Sequence, residues 1–470
     1  MATTTDALSL PSLMPAAFST SLANNATHPI IESGFASTGF MLTCSALVMI
    51  MTPAVGIFYS GLSGSKNALN IIMISFLAYA VITLQWVVFG FSFAFSETSN
   101  PVIGNFDFIG FKDVLTQALP LTATAVPVVV FALYQLQFAT VTGAIIFGSV
   151  VERIRLVPSI IFLFFWTTLV YDPIAYWTWA ARGWIRNMSC LANVNDEIPC
   201  QIGGLDFAGG GPVHMASGAA ALAFCLFVGR RKATTETKPH NVTNVFLGTA
   251  LLWFGWFGFN GGSAGAATAR AGMAAFVTTV AASAGGLTWM IMDAGRTKKL
   301  SGVGFCSGAI AGLVGITPAS GFVAPWAAII IGVVSAAGCN LAIRLKEVIG
   351  YDDTLDAFGL HGVGGLLGSV LTGLFASKDL VASLDGGVIK GGAIIDGNWV
   401  LVAYQLAGSA AILVYSFAVT YVLLLVLNII PGLNFRVSAE TEEAGADFGE
   451  MGEIAYEIVS NELPNMKTVV

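Results

Sequence analysis

The chain has 470 residues, of which 56% are hydrophobic and only 10% are Asp, Glu, Lys or Arg, with a formal net charge of −7. An ordinary soluble domain carries about 25% charged residues, so a water-soluble fold of this length has nowhere to hide its apolar surface, and lipid is the expected solvent. The charge does not point to nucleic acid, because there is no Lys/Arg-rich block and much of the acid lies in the C-terminal tail.

A membrane-crossing helix needs about 20 apolar residues, and uncharged stretches between ionisable residues locate the candidates. Residues 1–36 contain no Lys or Arg. They lack the basic start of a cleavable signal, so they read as an outer tail ahead of a helix that inserts directly. The stretches Glu32 to Lys66, Lys66 to Glu97 and Asp113 to Glu152 each hold one span. A fourth runs from Leu156 to Trp179 with Asp172 near its end, and a fifth lies between Asp206 and Arg230. Spans six and seven flank Arg270. Leu300 to Ile343 is long enough for two, turning at Thr317-Pro318. A tenth fills Ala357 to Ser377, and an eleventh, Val400 to Ile430, must tilt or protrude.

The expected fold class is therefore an all-α polytopic membrane protein of eleven spans. Its membrane domain covers 37–430, followed by a cytosolic tail from 431 to 470. An odd span count puts the termini on opposite faces, and most of the 20 Lys and Arg residues fall on inner segments if the N-terminus is outside. With that orientation the sequons Asn25-Ala26-Thr27 and Asn187-Met188-Ser189 face outward. Cys44, Cys225, Cys306 and Cys339 read as small core residues. Cys190 and Cys200 share one polar loop, where a disulfide and two free thiols stay open as alternatives. Gly304, Gly308 and Gly312, and again Gly364 and Gly368, recur at a spacing that lets membrane helices approach closely.

Of four histidines, His28 lies in the outer tail and His240 in an inner loop, whereas His214 and His361 fall inside spans five and ten. Ionisable groups at that depth are rare and commonly face a cavity or pathway. Their surroundings repeat. Leu205-Asp206 precedes Gly-Gly-Gly-Pro-Val-His214, and Leu355-Asp356 precedes Ala-Phe-Gly-Leu-His361. Asp206 and Asp356, with Asp353, read as helix caps. Span five runs inward and span ten outward, so the chain divides into two inverted five-helix halves, about 37–229 and 242–377, with the helix at 400–430 outside the repeat. That arrangement places a substrate path at the interface of the halves.

At these residues the chain resembles the Amt/Mep/Rh family of ammonium transporters. Met51-Thr-Pro-Ala-Val-Gly-Ile-Phe-Tyr-Ser-Gly61, Trp86 to Phe95, Val151-Glu-Arg-Ile-Arg155, Asp206 to His214, Gly255-Trp-Phe-Gly-Phe-Asn-Gly-Gly-Ser263 and Asp352 to Gly365 are similar to its helix motifs. The likeness covers about residues 37–456 and is nearest to the fungal high-affinity, sensor-type Mep permeases. It implies a homotrimer in the plasma membrane, one pore per subunit, moving ammonium or methylammonium without a cofactor. Trp179 and Ser263, with Phe138, match an outer recruitment site, and Phe138 and Phe259 match a stacked pair that gates the pore. Tyr134 and Trp256 match pore-lining aromatics, His214 and His361 twin pore histidines, and Asp206 a buried aspartate near the vestibule. Asp172 departs from the family pattern. In the tail, Arg436 to Gly445 and Gly452 to Tyr456 resemble a regulatory segment that docks on neighbouring subunits, and Ser460 is a candidate phosphorylation site for a cytosolic kinase. No catalytic triad, phosphate loop or metal cluster suggests an enzyme. The competing readings are a sodium-coupled symporter, a passive ammonia channel and a sensor that binds ammonium without moving it.

Overall fold

The computed structural model describes residues 34–115, 119–189, 203–232 and 238–456. Among these residues ten helices are long and apolar enough to cross a membrane: α1 Gly34–Leu62, α2 Ser65–Phe95, α3 Val128–Ser149, α4 Leu156–Trp179, α5 Gly210–Val228, α6 Val242–Gly262, α7 Ala269–Thr297, α9 Pro325–Ile349, α10 Phe358–Phe375 and α11 Trp399–Ile429. Between α7 and α9 lies α8, Gly302–Ile316, apolar but only 15 residues long. At 1.5 Å per residue it spans about 22 Å, less than a hydrocarbon core of ~30 Å. The non-helical turn after it carries Thr317 and Pro318, where the sequence places the break. Among the described residues no strand forms; β-type pairing is limited to two isolated bridges.

Local chemistry explains the breaks. Pro53 cannot donate to the carbonyl four residues back and crowds it, and the first helix is interrupted at Ile50, between Gly34–Met49 and Met51–Leu62. The glycine stripe on α8 places its backbone against α7. A Cβ on Gly308 would lie 2.5 Å from the Gly285 carbonyl oxygen, and one on Gly312 would lie 2.3 Å from that of Ala281. Helices α5 and α10 cross in the same way. Gly218 faces Gly362, while Gly365 faces Gly210. Advancing along one helix retreats along the other, so the two run antiparallel, as oppositely inserted halves require.

The tail folds back over the loops of its own chain. Phe435 and Val437 pair with Arg155 and Arg153, and Glu442 accepts from the Arg436 side chain and from the backbone N–H of Lys232. Asp447 accepts from the first-turn amides of Leu69 and Asn70 at 3.1 and 2.7 Å, and so caps α2. Gly445, at φ 107°, leaves no room for a side chain against Lys66. The Tyr456 ring packs on His240. Beneath the tail, buried Arg153 donates to Gly229 and Thr354, and Arg231 bridges Glu152 and Asp352.

Candidate functional site

Three of the aromatic side chains singled out above come from helices facing one another. Tyr134 and Phe138 sit four residues apart and so share one face of α3. The Tyr134 hydroxyl lies 2.9 Å from the Gly258 carbonyl oxygen, 2.7 Å from that of Phe259 and 3.3 Å from Ser263 Oγ, tying α3 to α6. Phe138 and Phe259 are then in ring contact, with centroids 4.2 Å apart. Phe138 stands edge-on to Trp179 at 5.7 Å.

On one side of the Phe138–Phe259 contact lies a vestibule of about 340 Å³ bordered by Trp179, Ser263, Tyr134, Phe138 and Asp206. Ser263 gives its own proton to the Phe259 carbonyl at 2.8 Å, which leaves its lone pairs as acceptors. On the other side is a cavity of about 20 Å³, bordered by Phe259, Trp256, His214, His361, Tyr59 and Val141. That is room for about one water-sized molecule. On the tail face a third cavity of about 670 Å³ is bordered by Arg231, Lys346, Asp356 and Leu360, the residue before His361. Tyr134 therefore lines the vestibule and Trp256 the narrow cavity.

The two histidines meet at the narrow cavity. Their Nδ1 atoms are 3.1 Å apart, which is a hydrogen bond when one ring carries its proton there and the other its lone pair. Both are buried, His214 at 1% exposure and His361 at 6%. His214 Nε2 has no hydrogen-bond partner among the described residues. The His214 ring stacks on those of its neighbours, with its centroid 5.2 Å from His361, 5.6 Å from Trp256 and 6.1 Å from Phe259.

Each histidine hangs from a capped helix entry. Asp206 accepts from Gly209, Gly210 and Gly211 at 2.7, 2.8 and 2.6 Å. Burial pushes its carboxyl up to about 6 against the pull of those amides. Its backbone oxygen accepts the Trp179 indole N–H at 3.1 Å, so the vestibule aromatic and the start of α5 are fixed together. On α10 the cap is Asp353, which accepts from Ala357 and Phe358 at 3.0 and 2.8 Å. Burial and the charge of Asp356 push it, too, up to about 6. Asp356, expected as a cap, instead pairs with Lys346 and has a left-handed backbone, φ 61°. The repeat therefore registers on the interval from cap to histidine, the same from Asp206 to His214 as from Asp353 to His361.

Asp172, the departure from the family pattern, is buried and accepts from Gln85 Nε2 at 2.7 Å, apart from the residues that border the vestibule. Asn187 is 8% exposed with its amide bonded to the carbonyls of Ala181 and Gly183, so this sequon presents no free acceptor for a glycan. Asn25, Cys190, Cys200 and Ser460 lie outside the described residues. The sequence reading missed Arg270, Phe207 and Phe322 as vestibule walls. A single cation between two apolar spans was the available signal for the first.

Residues 39–456 match the model of the Ammonium Transporter Family. The chain is 44% identical over 459 residues to "Ammonium transporter 1" of Schizosaccharomyces pombe, covering 97% of this chain and 88% of that one. It is 47% identical over 436 residues to "Ammonium transporter MEP2" of Saccharomyces cerevisiae, covering 90% and 83%. The crystal structure of Saccharomyces cerevisiae Mep2 superposes with a TM-score of 0.79 at 45% identity, over 87% of this chain and 92% of that one.

Proposed function

This chain belongs to the Ammonium Transporter Family, and from that premise we propose that it recruits ammonium in the Trp179 vestibule, strips its proton and passes ammonia across the histidine pair. Transport of ammonium by a multi-pass membrane protein follows from the family and from relatives bearing that name over nearly the whole chain. The finer steps rest on one observation. A wide aromatic vestibule is separated by two touching phenylalanine rings from an apolar space about one water molecule in size, in which two imidazoles meet.

Ammonium and potassium are close in size, so radius cannot separate them. The Trp179 face attracts either cation by ~0.5–2 kcal/mol. The Ser263 oxygen, its own proton given away, accepts an N–H bond that potassium cannot offer. Beyond the phenylalanines an intact charge would lose its water without a replacement. Ammonium escapes that penalty by losing a proton, and potassium has none to lose. Phe138 and Phe259 must swing apart for ammonia to pass. His214 and His361 accept the bond that water supplied and hold one proton between them, because two imidazoles in contact do not both stay charged. The proton crosses by its own route and net uptake carries current.

The vestibule faces outward, the tail lies in the cytosol of a plasma-membrane homotrimer, and a kinase or another cytosolic protein acts on the tail near Ser460. The test is uptake and current in vesicles containing only this protein, at varied pH. Ammonium-dependent current is expected, strongly reduced on substitution of either histidine. Unchanged current in both variants refutes the proton role, uptake without current favours an ammonia channel, and binding without methylammonium uptake favours a sensor.

A further inference from the structure

A cation is the wrong charge for the first turn of a helix, where the amides already present positive dipole ends, and an odd wall for a chamber that admits another cation. Arg270 is both. It is the second residue of α7, its side chain is 14% exposed, and it borders the vestibule. Nε–H donates to the Gly321 carbonyl at 2.8 Å, and Nη1 lies 3.4 Å from Asp385 Oδ2. The guanidinium carbon lies 5.4 Å from the centre of the Phe207 ring and 5.1 Å from that of Phe322. One side chain thus joins the turn after α8, the residues leading into α5 and the loop between α10 and α11.

The contacts run on to the rim and to the indole. Asp385 closes the surface helix Lys378–Asp385, and its other oxygen accepts the Gly387 N–H at 3.0 Å. Gly387, Val388 and Ile389 border the vestibule. Arg270 passes so close beneath them that a Cβ on Gly387 would lie 3.1 Å from Nη1. On the other side Phe207 packs on Gly321, where a Cβ would come within 2.1 Å of the ring. The neighbour of Phe207 is Asp206, whose backbone oxygen holds the Trp179 indole. The aromatic faces of Phe207 and Phe322 are already taken by the guanidinium.

We propose that Arg270, clasped by Asp385, is a positioning residue for recruitment. It holds the 385–389 rim over the vestibule and fixes its width around Trp179 and Ser263, favouring ammonium over alkylated ammonium ions. The proposal rests on the vestibule being the recruiting site. A purely electrostatic role makes a different prediction. Arg270→Gln removes a repelling charge and would tighten recruitment, while Asp385→Asn leaves that charge uncompensated and would weaken it. A clasp loosens either way.

The experiment measures initial rates of ammonium and methylammonium uptake in vesicles containing wild type, R270Q, R270K or D385N. R270Q and D385N are both expected to raise KM for ammonium, on the order of fivefold, with the change confined to KM rather than maximal rate. The methylammonium-to-ammonium KM ratio is expected to fall toward one. R270K, which keeps the charge but not the planar fork, is expected to follow R270Q. Opposite KM shifts in R270Q and D385N, a lower maximal rate with the KM ratio unmoved, or variants equal to a transporting wild type each overturn the clasp alone. A wild type that takes up no ammonium overturns the transport reading and the clasp with it.

Discussion

The entries to α5 and α10 use one device for two purposes. Each places an aspartate ahead of the helix and a histidine about one turn inside it, and at the third residue after the aspartate the backbone turns left-handed, at Gly209 (φ 112°) and Asp356 (φ 61°). The occupants of that position differ for a physical reason. Against Gly209 lies the indole of Trp179, and a Cβ would sit 3.1 Å from its ring and 2.8 Å from Val213. The vestibule side therefore demands a missing side chain. On the tail side there is space and charge, so an aspartate, which tolerates the conformation better than most residues, spends its carboxylate on Lys346. The pseudo-equivalent positions teach that backbone geometry is shared between the halves while side-chain chemistry follows the local partner.

Experiments can break this comparison at the histidines first. Replacing His214 or His361 with alanine is expected to lower ammonium-dependent current by on the order of tenfold or more, ~1.4 kcal/mol in barrier. A large loss at one position alone would mean the halves contribute unequally. Gly209→Ala combines a strained conformation with two close contacts, and a loss of about 2 kcal/mol is expected from thermal unfolding in detergent. Asp206→Ala, losing three amide bonds, is expected to cost about 2 kcal/mol, and Asp353→Ala, losing two, about 1 kcal/mol. Equal losses would show that the donor count is immaterial. Asp447→Ala uncaps α2 and is expected to cost about 1 kcal/mol, read also as faster proteolysis of the tail. The smallest effect concerns pH. Burial raises the Asp352 carboxyl, but the Arg231 hydrogen bond and the Arg153 charge outweigh it and hold it at about 2, below an ordinary value of about 3.9. Its stabilisation is present above about pH 4 and disappears as pH falls toward 2. Asp352→Asn should remove that part of the acid sensitivity.

Much of this could be read from the chain alone, because lipid demands long apolar runs and leaves ionisable groups conspicuous. The ten long spans, the two buried histidines and the helix-packing glycines follow from that, whereas the stretch read as an eighth span forms a helix of 15 residues. Where identity and spacing disagreed, identity misled. The Leu-Asp pair at Leu355-Asp356 copies Leu205-Asp206 and set Asp356 beside Asp353 as a cap, whereas the interval to the histidine singles out Asp353. Features made by distant partners were not legible. Nothing near Asp172 announces Gln85, and the Arg270 contacts with Gly321 and Asp385 join segments far apart in sequence. The Asn187 motif says nothing of the two carbonyls that occupy its amide.

The cap on α2 has a consequence for biosynthesis. Asn70 and the aspartate that completes its turn are 377 residues apart. At translation rates of about 5–20 residues per second, the second helix waits for a time on the order of tens of seconds with its leading amides bare. Only a ribosome that has passed Asp447 can supply the missing acceptor. The first hairpin is thus finished only by residues made long after it, and a nascent chain stalled before Asp447 carries a second helix whose first turn lacks that cap.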